Sequence, residues 1–174
     1  MAAASKWTSF ALVGGLVLAL DQAGKRHATS ALAVGERVPL AGSLLAWAHE
    51  PTSGGALGLF RDWSPMAELA GYAVLSLVAA SVVFVFLRAL APRDLGTAMA
   101  LGGILAGIVS NGVDRFRFGA SIDFLHLGPT SSNPLPDFNL ADLAIVLGVG
   151  TLIVELLATE MAARAAERPR RTPP

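Results

Sequence analysis

The chain has no cysteine and only three histidines among its 174 residues. The first absence removes thiol nucleophiles, disulfides and thiolate metal sites together. The histidines His27, His49 and His126 show no metal-ligand spacing and no HExxH pattern, and read as surface or interface residues. Charge is scarce too: charged residues make up 15% of the chain, and 13 basic side chains balance 13 acidic ones. A chain of zero formal charge carries no electrostatic footprint for nucleic acid, so no such partner is expected. What remains is apolar. Hydrophobic residues reach 53% and mean hydropathy is +0.58, above the usual share for a soluble domain. The composition is that of a small polytopic membrane protein.

A helix needs about 20 apolar residues to cross a bilayer core. Four segments approach that length, near 7–25, 66–88, 95–113 and 139–160. The expected fold is therefore an all-α membrane protein of four transmembrane helices with a small extracytoplasmic β-rich loop region. The first apolar run is also short enough for a signal-peptide core, and Ala31-Leu32-Ala33 resembles a cleavage site. Against that, the run extends from Trp7 to Ala23 and ends in Asp21 and Lys25, an i, i+4 pair on one helix face. In the third segment, Gly103 and Gly107 have the spacing that lets a neighbouring helix pack close.

An even number of spans places both termini on one side, and Lys and Arg near the span ends set the orientation. The two sides are nearly balanced, but the cluster from Arg164 to Arg171 tips both termini to the cytoplasm. Residues 1–162 then form one membrane domain, with outer loops at about 26–65 and 114–138 and a disordered basic tail at 163–174. In the first outer loop, residues 43–49 suit a short strand and Pro51-Thr52-Ser53-Gly54-Gly55 suits a turn. Trp47 and Trp63 suit a membrane interface.

Polar side chains gather at the outer ends of three spans: Asp21 and Lys25, then Asn111, Asp114 and Arg115, then Asp123, then Asn139 and Asp142. Each has a plain structural reading. Asn139 and Asp142 resemble a helix N-cap arrangement, Asp114-Arg115 an interfacial ion pair, and Asp21–Lys25 a structural pair. Asp123 has the weakest such reading, because it sits in a loop with no obvious helix to cap. Carboxylates at a membrane edge are expensive and mark function by default. If Asp123 and Asp142 approach closely in a dry site, they share one proton. The ionised member can then activate water while the neutral one protonates a leaving amine. Such a pair cuts peptides without metal or cofactor. A Ser–Lys device built on Lys25 with Ser30 or Ser43 has no recognisable context. A proton-coupled carrier would place its acids near the midplane rather than at one interface.

The blocks Asp21-Gln22-Ala23-Gly24-Lys25, Asn111-Gly112-Val113-Asp114-Arg115, Gly119-Ala120-Ser121-Ile122-Asp123-Phe124 and Phe138-Asn139-Leu140-Ala141-Asp142 resemble, in order and spacing, those of the bacterial lipoprotein signal peptidases, signal peptidase II. That resemblance implies an intramembrane aspartyl endopeptidase of the inner membrane, with Asp123 and Asp142 catalytic. Asp21, Lys25, Gly54, Asn111, Asp114, Arg115 and Asn139 would bind substrate or support the site. It implies diacylglyceryl prolipoprotein substrates, cut before the lipidated cysteine, contact with membrane lipid, and inhibition by globomycin-type cyclic peptides. Three positions depart from the family pattern. Thr52 opens the stretch where Asn is usual, Ser110 stands where Gly commonly precedes Asn111, and Gly24 where a hydroxyl residue is frequent. The altered 52–58 loop leaves room for a homologue that binds lipoprotein or inhibitor without cutting.

Overall fold

The computed structural model describes residues 5–53, 60, 62–128 and 136–167. Four long helices carry the chain back and forth: α1 (Lys6–Ala31), α2 (Pro65–Ala89), α3 (Leu95–Phe118) and α4 (Leu140–Glu167). Between α1 and α2 lie β1 (Arg37–Ala41) and β2 (Leu45–Thr52), and between α3 and α4 lies β3 (Ser121–Leu127). The three strands make one antiparallel sheet in the order β1-β2-β3. Because both strand-bearing connections leave the same end of the bundle, the sheet caps that end alone.

Among the described residues, three helices, α2, α3 and α4, are long and apolar enough to cross a membrane. α1 is equally long but interrupts its apolar run with Asp21, Gln22 and Lys25. Each helix outruns or matches the expected span, α1 by six residues and α3 by five at the sheet end. Polar side chains that would stop an isolated apolar helix are buried here among partners, so the helices continue through them. α4 likewise runs on to Glu167, which makes residues 163–167 helical; 168–174 lie outside the described residues.

α3 is the central helix and packs closely on α1 and α4 through small residues. A Cβ on Gly102 would stand 2.4 Å from the backbone carbonyl oxygen of Phe10 in α1, and one on Gly107 2.5 Å from that of Ala141 in α4. Hydrogen alone fits at both, and the close approach of backbones substitutes for the hydrophobic drive that lipid does not provide. At the end opposite the sheet, the Lys6 ammonium donates to the carbonyls of Arg88 and Leu90, tying the start of α1 to the last turn of α2. Near it, Thr97 Oγ1 donates to Glu155, joining the first turn of α3 to α4.

The strand expected at 43–49 forms two residues later and takes in the first two residues of the stretch read as a turn. Pro51 and Thr52 are extended, paired opposite Ile122 and Ser121. Proline's fixed φ suits an extended strand once its missing N–H is not needed. Gly54 and the rest of 54–59 lie outside the described residues. β2 also carries an irregularity between Trp47 and Glu50, which buries Ala48 and His49 in succession. α3 ends on Gly119 at φ 76°, the left-handed conformation that glycine takes without a Cβ penalty.

The packing at Gly102 generates a direct test. Gly102→Ala should lower the thermal midpoint of the detergent-purified protein, since overpacking against backbone costs about 1–3 kcal/mol. Gly15→Ala, with nothing within 4 Å of its added carbon, should not.

Candidate active site

Lys25 sits at the centre of the polar cluster, only 3% exposed. Its ammonium has three N–H donors, and three oxygens face it: Asp21 Oδ2 at 2.7 Å, Asp114 Oδ2 at 2.6 Å and Asn111 Oδ1 at 2.8 Å. The helical i, i+4 spacing brings Asp21 to Lys25, and the close packing of α3 on α1 brings the other two. Asp21 spends its remaining capacity on α4 and α3. Its Oδ1 accepts the backbone N–H of Ala141 at 2.9 Å, and its Oδ2 accepts the Ser110 hydroxyl at 2.6 Å. Gln22 Nε2 donates to Ser110 Oγ and to Asp114 Oδ1, each at 2.9 Å.

The adjacent pair Asp114-Arg115, expected to be an ion pair, is not one. Neighbouring residues on a helix point apart. Asp114 turns to Lys25, while the buried Arg115 guanidinium lies 4.2 Å from the centre of the Tyr72 ring in α2.

Asn139 begins α4 with a reciprocal cap: its Oδ1 accepts the backbone N–H of Asp142 at 2.9 Å, and Asp142 Oδ2 accepts the backbone N–H of Asn139 at 3.3 Å. So the plain structural reading of this pair is realised, yet it uses only half of the amide. The other half, Nδ2, donates to Asp123 Oδ1 at 2.7 Å. One side chain thereby bridges the two aspartates, one on a strand and one on a helix. Asp142 Oδ1 accepts from Asn111 Nδ2 at 2.7 Å, whose own Oδ1 already faces Lys25 and the Ser121 hydroxyl. A continuous chain of hydrogen bonds therefore runs from the buried ammonium to both carboxylates.

Asp123, read from sequence as a loop residue, lies in β3 and is only 4% exposed. Burial pushes its carboxyl up to about 7, with the negative charge of Asp142 adding to the rise. Hydrogen bonds from Thr52 and Asn139 and the charge of Lys25 hold it back. The Thr52 hydroxyl donates to Asp123 Oδ2 at 2.6 Å. Thr52 and Glu50 are on the same face of β2, and Glu50 is paired directly opposite Asp123, so a third acid borders the pair.

All the expected site residues except Gly54, which lies outside the described residues, meet at this end of the bundle. Several partners were not singled out as site residues: Gln22, Glu50, Ser110 and Ser121. The three departures from the family pattern also acquire contacts. Thr52 binds Asp123, Ser110 bonds Asp21, and Gly24 leaves the space that the Phe124 ring fills, 2.6 Å from where a Cβ would be. Trp47 packs on Phe124 with ring centres 5.2 Å apart, while Trp63 is half exposed.

Two histidines correct the surface reading. His49 is buried with Nδ1 2.9 Å from the Leu32 carbonyl. His126 is fully buried, its Nδ1 2.6 Å from Asp137 Oδ1, while Arg37 bonds the other oxygen of Asp137 at 2.8 Å. That cluster joins β1 and β3 to the segment leading into Asn139, where Phe138 also exchanges backbone hydrogen bonds with Leu125 at 2.9 Å. No group of three His, Cys, Asp or Glu suited to a metal ion occurs among the described residues.

The model of the family described as Signal peptidase (SPase) II matches residues 13–158. The chain belongs to the signal peptidase II family. Among similar proteins, the lipoprotein signal peptidase of Desulforapulum autotrophicum is 35% identical over 84% of this chain and 90% of its own length. That of Parasynechococcus marenigrum is 36% identical over 87% and 91%. Two solved bacterial membrane enzymes, both determined by the in meso method, share the fold. One has a TM-score of 0.74 at 23% identity, covering 84% of this chain and 90% of that one; the other has 0.76 at 20%, covering 93% of each. Family membership makes the chain a membrane peptidase and sets the carrier reading aside.

Two outcomes follow from the geometry. Thr52→Val removes a donor that favours the ionised carboxyl, so the Asp123 titration, followed by carbon-13 NMR of labelled aspartate, should move up by about half to one unit. Thr52→Ser should leave it in place. Lys25→Met strands Asp21 and Asp114 without their counter-charge, a loss of about 3–5 kcal/mol for a broken buried pair, read as a lowered unfolding midpoint.

Proposed function

We propose that this chain removes signal peptides from diacylglyceryl-modified prolipoproteins, cutting before the lipidated cysteine, with Asp123 and Asp142 as the catalytic pair. The observation that carries this reading is the Asn139 amide, bonded at once to Asp123 and to the backbone of Asp142, with Asp123 raised to about 7. The charge of Asp142 adds to the rise at Asp123, so their titrations are coupled, and in this reading the pair holds one proton. Its ionised member draws a proton from water as that water attacks the scissile carbonyl. The neutral member then protonates the departing amine, and the shared proton is restored.

Asn111, Asn139 and Thr52 fix the carboxyls in place. Asp21, Lys25 and Asp114 hold the helices that carry them, and Arg115 supports the substrate's approach. In this reading α1 joins α2, α3 and α4 as a fourth crossing. Both termini are cytoplasmic, and the sheet and the pair lie at the outer face of the inner membrane. The signal helix enters from the side, its acyl chains staying in lipid, and globomycin-type cyclic peptides compete for the same cleft. Thr52 supports a cutting enzyme over a silent binder, because the departure from the family's Asn still supplies a hydrogen bond to the pair.

Asp123→Asn and Asp142→Asn should each lower cleavage of a purified lipidated precursor by roughly 10²–10⁴-fold, with the folding of each variant verified by its unfolding midpoint. Undiminished cleavage by either variant would sink the assignment.

A further inference from the structure

At the sheet end, on the outside of the α1–α3 seam, a cavity of about 220 Å³ is lined by Gln22, Lys25, Arg26, Thr29, Asp114 and Arg117. Its acid and its amide are already committed. Asp114 accepts from Gln22 through one oxygen and faces Lys25 with the other, and Gln22 is shared with Ser110. Thr29 turns its hydroxyl proton back to the Arg26 carbonyl at 3.1 Å. Two guanidinium groups remain, Arg26 and Arg117, and neither has a carboxylate partner among the described residues. Arg117 touches the Phe118 ring, 5.0 Å from its centre, a contact that leaves its N–H groups free to donate.

Both side chains are exposed, so water screens their mutual repulsion, and the cavity wall is left with two positive charges that a small anion could meet together. Guanidinium forks match tetrahedral oxyanions with paired, charge-assisted hydrogen bonds. The surroundings fix the depth: the apolar Phe118 ring of α3, more than half exposed, itself lines the cavity, together with Ile122 of β3. That is where an apolar helix face meets the polar layer of a bilayer, and where lipid phosphates lie.

We propose that this cavity is a phosphate-binding site, Arg26 and Arg117 gripping the oxyanion of an anionic lipid headgroup or of a free phosphate. A bound headgroup would pin α1 to α3 beside Lys25 from the outside, complementing the buried network.

The test is a titration of the full-length protein in detergent, followed by its thermal midpoint. The probes are phosphatidylglycerol, phosphatidylcholine and inorganic phosphate. The parent should show a saturable rise with phosphatidylglycerol and a smaller one with phosphatidylcholine, whose choline neutralises its own phosphate. Arg26→Gln and Arg117→Gln should each weaken binding by roughly tenfold, and Arg→Lys variants should fall between, keeping the charge without the fork. An arginine-dependent rise with inorganic phosphate alone assigns the site to a soluble anion; a rise with lipid only assigns it to the bilayer. If the double glutamine variant binds phosphatidylglycerol as tightly as the parent, or the parent binds no probe saturably, the proposal fails.

Discussion

The whole sheet end of this protein depends on one almost wholly buried ammonium group. Lys25 has three protons and meets three oxygens at 2.6–2.8 Å, from α1 and α3. A charge in such a place costs several kcal/mol unless its partners are complete. Completeness is what orders the neighbourhood. Asp21 can serve Lys25 only if its other oxygen serves the start of α4, and Asn111 can serve it only if its amide end turns toward Asp142. Three helices are thereby held in one register by the demand of a single cation.

The proposed chemistry then rests on a second economy, the double use of Asn139. Helix starts leave N–H groups unsatisfied, and a capping side chain answers them in countless proteins. Here the amide's oxygen caps α4 while its nitrogen reaches across to a strand. Orientation of the side chain is therefore not free: an exchanged oxygen and nitrogen would set donor against donor at the helix start. The proposed pair is rigid because a commonplace structural motif was extended by one hydrogen bond.

What could be read in the sequence was local. Asp21 and Lys25, four apart, and Asn139 and Asp142, three apart, announce their contacts through helical geometry, and the apolar runs announce the helices. Asp123 could be singled out only because nothing nearby explained it. The sheet that does explain it comes from pairing β3 with a strand about 70 positions earlier, and no short-range pattern encodes that. The same distance hid the bond from Thr52 to Asp123, and the Arg37–Asp137–His126 cluster, whose arginine and aspartate are 100 positions apart. Proline and threonine at 51–52 read as a turn because their local preferences allow it; the ladder with Ile122 and Ser121 overrode them. The histidines misled for a related reason, since a buried imidazole looks polar until its partner is known.

The two acids ride on different kinds of support. Asp123 belongs to a sheet that rests on the bundle's end, whereas Asp142 belongs to the first turn of a 28-residue helix that runs to the opposite end, where Glu155 meets Thr97. Any force that slides α4 along its axis works on the gap between them, against the Asn139 bridge and the bonds that tie Ala141 to Asp21 and Asp142 to Asn111. A bilayer thicker or thinner than α4's apolar length exerts just such a force through hydrophobic mismatch. Lipid chain length thus becomes a mechanical input to the distance between Asp123 and Asp142, and the membrane is part of that pair's geometry rather than merely its container.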